Sequence, residues 1–397
     1  MFSPFLTLFI ALQSYRTSLA KNIIWAFAIF YGVTFVISSE GIDAAVYAES
    51  LTNMHQRAMT LAEVTAQFYN EEGGGLDFIQ PLLTFLVSLF TDSYHILYGV
   101  FCLVFGFFYS RNVCIVLDGL KGKINREIFF LVVVFATIIP LWSVNGVRMW
   151  TAAHMFVYGA LPYLMYNKKG GLVWCIISIF MHFSFLFPLA ILGVFILVGN
   201  RTRAYFWLFI ISFLLSQWNL TGVSNLLQNI LPAMFQKKAE AYTGEEYGAE
   251  IVESLAHNNF YAVWYQTIFY WTIVGLLVMI FIKGKRFFVV NPVHYKLLGF
   301  TYLIFSIAIL VSGIPSMGRF ILVAELFALV CIILYLHYAV RIKLFHNVLP
   351  FAYASMLFFL VVSVRIGFDT VGVMTIIGNP VTACFKDTEA ALIQFIK

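Results

Sequence analysis

At 397 residues the chain is long enough for two or three soluble domains, but 61% hydrophobic residues, 11% charged residues and a mean hydropathy of +0.89 exclude an ordinary soluble globule. The composition is that of an all-α polytopic membrane protein, its 43 Phe and 21 Tyr suited to lipid contact and interfacial anchoring. A net charge of +5 does not point to nucleic acid, because the basic residues flank apolar runs on one side, as membrane topology demands.

The first apolar run, 2–12, is short of the ~20 residues a crossing helix needs, so it reads as an interfacial or shallow segment. It lacks a basic n-region and a small-residue cleavage site, which argues against a removable signal peptide. The first span is 22–39. Residues 40–76 are polar and acidic, with Glu40, Asp43, Glu49, Glu63, Glu71 and Glu72, and read as a first outer loop. The run 76–90 is interrupted by Gln80-Pro81 and ends at Thr91-Asp92. If it crossed, the next basic stretch would fall on the wrong side, so a re-entrant or interfacial helix beside a cavity is expected.

Span 94–110 leads to a basic loop with Arg111, Lys121, Lys123 and Arg126. Three hairpins share a plan: 128–166 with Asn145 and Arg148 at its tip, 171–199 around His182, and 297–340 around Gly313-Ile-Pro315-Ser-Met-Gly318-Arg319. The middle one allows only ~20 Å per arm, so its tip should sit below the membrane surface. Between the second and third hairpins lie a span at 204–218, a second outer loop at 219–259 and a span at 260–282. That loop opens with helix-like spacing (Val223, Leu226, Leu227, Ile230) and reads as an amphipathic helix over the outer face. Span 347–364 leaves a tail from Arg365. The count is about eleven spans in a single transmembrane domain, 1–397, with the amino end inside and the carboxyl end outside. The loops assigned to the inside carry about two-thirds of the 24 basic residues, which makes that side cytoplasmic.

No Walker loop, G-x-S-x-G or H-E-x-x-H is present, so nucleotide hydrolysis, serine hydrolase and zincin chemistry lack their parts. The five cysteines have no paired spacing and imply neither disulfides nor zinc. His154 and His182 lie on different hairpins without a carboxylate at ligand spacing, so no metal is expected. What remains is a set of polar residues on the outer side. Asn145 and Arg148 are i and i+3 and share one face if a helix starts at the tip. An arginine fork matches phosphate oxygens and offsets charge on a phosphate leaving group, but Arg148 could equally snorkel or pair with a loop carboxylate. Arg319 has the same two readings, with glycines before it that let backbone approach closely. His182 in a sunken tip is either a hydrogen-bonded core residue or a general base or sugar ligand. Asp43 and Tyr47, i and i+4, read as a solvated pair, a helix cap or part of the site. Glu325, inside a span, reads as a partner for an arginine, and His154 as structural.

Gly41-x-Asp43-x-x-x-Tyr47, Asn145-x-x-Arg148, Met181-His182-Phe183-Ser184 and Gly318-Arg319-Phe320 together resemble the EpsG branch of Wzy-type bacterial polysaccharide polymerases. Ser39-Glu40 stand where that pattern often has an arginine, and Met149 where it often has a glutamine. The resemblance implies a GT-C-like glycosyltransferase architecture with re-entrant or interfacial helices and a site facing the periplasm or cell exterior. It implies joining of undecaprenyl-diphosphate-linked oligosaccharides without a metal, other cofactor or nucleotide sugar. Arg148 and Arg319 would stabilise the departing lipid diphosphate, Asn145 would position it, and Asp43 or His182 would take the proton. Tyr47, Tyr242, Tyr247 and Trp264 are candidate sugar-binding residues. Membrane lipids are expected partners, a chain-length regulator is left open, and nucleic acid is not expected. An O-antigen ligase, an outer-face acyltransferase, a transporter or flippase for an anionic lipid-linked glycan, and a scaffold subunit are the alternatives.

Overall fold

The computed structural model describes residues 3–38, 42–70, 77–216, 260–314, 316–339, 343–383 and 390–395. Among these residues helix dominates and no strand occurs, so the protein is all-α. Six segments are long and apolar enough to cross a membrane: Tyr94–Asp118, Arg126–Tyr166, Phe260–Gly284, His294–Val311, Arg319–Tyr338 and Phe345–Gly367.

Helices α1 (Pro4–Gln13) and α2 (Ser18–Val33) form a hairpin, its second arm opened by the Thr17 side chain accepting from the Ala20 N–H. Phe5 and Phe27 lie 6.3 Å apart, so α1 folds back along α2. The segment expected as a first outer loop is instead largely helical, with α3 (Ile42–Gln56) and α4 (Leu61–Asn70). A buried stripe of Ala44, Tyr47, Leu51 and Met54 holds α3 to the bundle. A capping box opens α4: Glu63 accepts from the Thr60 N–H at 2.7 Å, and Thr60 Oγ1 accepts from the Glu63 N–H at 3.3 Å. Helix α5 (Ile79–Ser88) is ten residues, about 15 Å, against the ~20 residues a crossing helix needs.

The bundle continues through α6 (Tyr94–Asp118), α7 (Arg126–Ile138), α8 (Val147–Tyr166), α9 (Leu172–Met181), α10 (Leu186–Val198) and α11 (Thr202–Leu215). After the undescribed stretch come α12 (Phe260–Met279), α13 (Lys285–Val290), α14 (Pro292–Val311), α15 (Arg319–Tyr338) and α16 (Lys343–Gly367). A short α17 (Val373–Ile377) lies in the tail. The amphipathic helix expected in 219–259 lies outside the described residues. Lipid is as apolar as a leucine side chain, so close packing, not exclusion from water, holds such helices together. Helices α2 and α6 meet at Gly32, where any Cβ would collide with the Tyr98 carbonyl oxygen, and α8 meets α9 at Gly159, where a Cβ would stand 2.6 Å from Cys175 Sγ. Helix α15 is the most deeply buried of the six long apolar segments, so its polar residues face protein.

The two ends differ chemically. At one end the Arg16 guanidinium donates to the carbonyls of Leu120 (2.8 Å) and Gly122, the Lys121 N–H donates to the Tyr338 hydroxyl at 2.6 Å, and the Lys296 ammonium donates to Asn167 Oδ1 at 3.0 Å. These are basic residues expected together on one side. At the other end the tail returns over α2: the Val36 N–H donates to the Thr370 carbonyl at 3.0 Å, and the Thr34 and Thr375 hydroxyls are 2.7 Å apart.

Candidate functional site

Three polar breaks meet at the end covered by the tail. Pro140 follows α7 and starts a 3-10 turn, Leu141–Gly146, that delivers the chain into α8. Gly146 at that junction is a close-approach glycine: a Cβ there would stand 3.2 Å from the Trp150 indole and 3.9 Å from Asp43 Oδ2. The Asp43 carboxylate, at the start of α3, therefore sits beside the opening of α8. Asn145 lies in the 3-10 turn instead of the first turn of α8, and its buried Oδ1 has no hydrogen-bond partner among the described residues.

Arg148, second in α8, is held from two sides. Its Nε donates to the Tyr47 hydroxyl at 3.1 Å, and its guanidinium carbon lies 5.8 Å from the Tyr47 ring centroid. Its Nη1 lies 3.9 Å from Asp77 Oδ2, an ion pair in which the Arg148 side chain is 31% exposed and that of Asp77 only 3%. The other Asp77 oxygen accepts the Phe183 N–H at 2.6 Å, tying the cluster to the α9–α10 turn. A buried carboxylate is tolerated when paired and hydrogen-bonded in this way.

His182 ends α9 and caps the 3-10 turn Phe183–Phe185. Its Nδ1 accepts from the Ser184 N–H at 3.3 Å and lies 2.7 Å from Ser184 Oγ, which also approaches Met149 Sδ at 3.8 Å. With Nδ1 accepting, the proton of a neutral ring is assigned to Nε2. His154 is buried and structural: its Nε2 is 3.0 Å from the Ile139 carbonyl, and the Asn112 amide donates to its own carbonyl at 2.9 Å.

Arg319 opens α15 and lines a cavity of about 530 Å³ together with Trp150, so one indole separates that cavity from the Gly146–Asp43 contact. Thus Tyr47, Arg148, Asp77 and the His182–Phe183 turn are joined by direct contacts, with Asp43 and Asn145 beside them at the Gly146 junction and Arg319 across the Trp150 indole. Tyr242 and Tyr247 lie outside the described residues. Trp264 is exposed on α12 and is not part of the cavity wall. Two residues that sequence reasoning missed complete the arrangement. Asp77 is the counterion of Arg148, its signal a lone acid between Gly73-Gly74-Gly75 and an apolar helix, and Trp150 is the shared wall. Among the described residues no group of three or more His, Cys, Asp or Glu could hold a metal ion.

Fold and site define an all-α membrane protein with transmembrane helices and a charged cluster at one end of its bundle. Compared with protein-family models, with curated proteins and with solved structures, the chain matches none.

Proposed function

We propose that the chain is a polysaccharide polymerase joining undecaprenyl-diphosphate-linked oligosaccharide repeat units at the outer face of a bacterial inner membrane, through about eleven crossings in a GT-C-like arrangement. One observation carries this reading: three motif stretches far apart in sequence, around Asp43–Tyr47, Arg148 and His182, join through contacts of 2.6–3.9 Å centred on Arg148 and Asp77.

In this reading the donor is the growing glycan on its lipid diphosphate. A hydroxyl oxygen of the incoming repeat unit bonds to the donor's anomeric carbon, the bond from that carbon to the diphosphate oxygen breaks, and the diphosphate leaves with the electron pair. Arg148, oriented by Tyr47 and restrained by Asp77, faces the developing negative charge, and a preoriented donor needs little reorganisation as that charge grows. Asn145 positions the diphosphate through its amide N–H, its Oδ1 being left to accept from a substrate hydroxyl. Asp43 takes the hydroxyl proton. His182 serves instead as a positioning residue, since the Nδ1 lone pair is engaged by Ser184 and the ring fixes the turn that presents the Phe183 N–H to Asp77.

The test uses purified protein in liposomes with the lipid-linked repeat unit extracted from a host strain lacking this chain, and no nucleotide sugar. A ladder of glycan lengths is expected. Folded protein that forms no glycosidic bond with that unit would overturn the reading, and movement of the unit across the bilayer without bond formation would replace it with transport.

A further inference from the structure

The 530 Å³ cavity beside the Arg148 cluster lies within the range of small-ligand sites. Two helix faces and one indole build it. On α12, Gln266 and Tyr270 are i and i+4 and Trp271 follows at the edge of the same side; from α15 come Arg319 and Glu325; α8 contributes Trp150. Arg319 and Glu325 are six residues apart, so the cavity runs about 9 Å along α15 from its tip toward the middle of the bundle.

Glu325 is the anomaly. The residue is 2% exposed, and among the described residues its Oε2 has no hydrogen-bond partner and no arginine pairs with it, contrary to the expectation from sequence. A buried polar atom without a partner is destabilising and is usually avoided in a packed core. An apolar residue of similar size would remove it. Glu325 therefore brings a carboxyl group with one unsatisfied oxygen up against the cavity.

The other walls describe its partner. Trp150, Tyr270 and Trp271 contribute aromatic rings to its lining, and the Phe213 ring stacks on Trp271 at 5.5 Å and 24°. Gln266, Arg319 and Glu325 offer polar atoms around them. Aromatic faces combined with a ring of donors and acceptors suit a molecule with one apolar face and an equatorial belt of hydroxyls. A lipid tail would leave Glu325 unsatisfied. A diphosphate would find Arg319 at one end but would leave the aromatic rings and the Glu325 carboxyl group without a partner.

We propose that this cavity is a sugar-ring subsite, in which Glu325 hydrogen-bonds hydroxyls of the repeat unit while Trp150 and Trp271 contact the ring face. The assignment deepens the polymerase reading and rests on it for the identity of the glycan. The Trp150 indole that lines the subsite also stands beside Gly146, so the subsite neighbours the Asp43–Arg148 cluster.

The experiment compares wild type, Glu325→Gln, Glu325→Met and Trp271→Phe. The probe is the glycan freed by mild acid from the extracted lipid-linked unit, titrated against intrinsic tryptophan fluorescence, with thermal unfolding of the ligand-free proteins measured in parallel. Saturable quenching is expected for wild type. It should weaken at least tenfold in apparent Kd for Glu325→Met and less for Glu325→Gln, and Trp271→Phe should lose much of the signal. Glu325→Met should also melt at a higher temperature than wild type, because it removes an unsatisfied buried atom. That combination of greater stability with poorer binding is not what a structural acid would give. Equal affinity in wild type and Glu325→Met, or no saturable quenching of wild type, would overturn the subsite. Failure of the polymerase reading is seen separately: glycan bound through Glu325 with no ladder from the lipid-linked unit would leave the subsite standing in a binding or transport protein.

Discussion

Removing the buried counterion of Arg148 tests the centre of the site directly. Asp77 accepts the Phe183 N–H at 2.6 Å and faces Arg148 Nη1 at 3.9 Å, so Asp77→Ala loses a charge-assisted hydrogen bond and an ion pair together. The hydrogen bond is worth about 1.5–3 kcal/mol. Coulomb's law at an effective dielectric constant of ~20 gives about 4 kcal/mol for the pair before desolvation. The 31% exposure of Arg148 and the salt around it reduce this to about 1–2 kcal/mol. Asp77→Ala should therefore cost about 3–4 kcal/mol, and Asp77→Asn, which keeps an acceptor for Phe183, about 1–2 kcal/mol. Denaturant titration in a mild detergent measures both, and a double-mutant cycle with Arg148→Ala isolates the pair. A coupling of about 1–2 kcal/mol is expected. Additivity within ~0.5 kcal/mol would show that the two charges do not communicate and would refute the argument.

Arg148→Ala and Arg319→Ala should each abolish polymer while leaving insertion unchanged, and Arg148→Lys should recover little because an ammonium lacks the planar fork; full activity of either alanine variant removes that arginine from the mechanism. His182→Asn, whose amide oxygen can still accept from the Ser184 N–H, should keep most of the ladder, whereas Asp43→Asn should lose it; the reverse order on the gel makes His182 the base. Gly32→Ala should cost about 1–3 kcal/mol by forcing α2 from the Tyr98 carbonyl, read as a lower unfolding midpoint, and an unchanged midpoint would show slack in that seam. In α4 the Thr60 backbone N–H and then its hydroxyl hold the Glu63 carboxyl below its ordinary pKa. The folded value lies below the unfolded one, so the box is fully formed above the unfolded pKa and is lost as pH falls through the folded one. Amide protection in α4 should drop selectively in acid, and Glu63→Gln should flatten that dependence.

Sequence periodicity and length were enough for the bundle, because long apolar runs have few other uses. They failed where composition hid a pattern. Ala44, Tyr47, Leu51 and Met54 recur at helical spacing, yet the acids between them made 42–56 resemble a loop. Asn145, Arg148 and His182 were legible as polar interruptions of apolar hairpins. Their partners were less so: Asp77 acts on the backbone N–H of Phe183, 106 residues away, and a backbone donor has no residue signature. For Glu325 the charge alone predicted an arginine partner, and only the packing around α15 shows an open cavity in its place.

The short hairpin of α9 and α10 has a consequence for the lipid around it. Their ten and thirteen residues measure about 15 and 20 Å, against ~30 Å of hydrocarbon, and Leu197 on their outer surface is 87% exposed. Such hydrophobic mismatch is relieved by bilayer thinning, so the headgroup layer should dip beside this hairpin. On the side of the His182 turn such a dip would lie next to the Arg148–Asp77 pair. An anionic headgroup diffusing in that leaflet would then reach the arginine at its own depth, without leaving the interface that carries it.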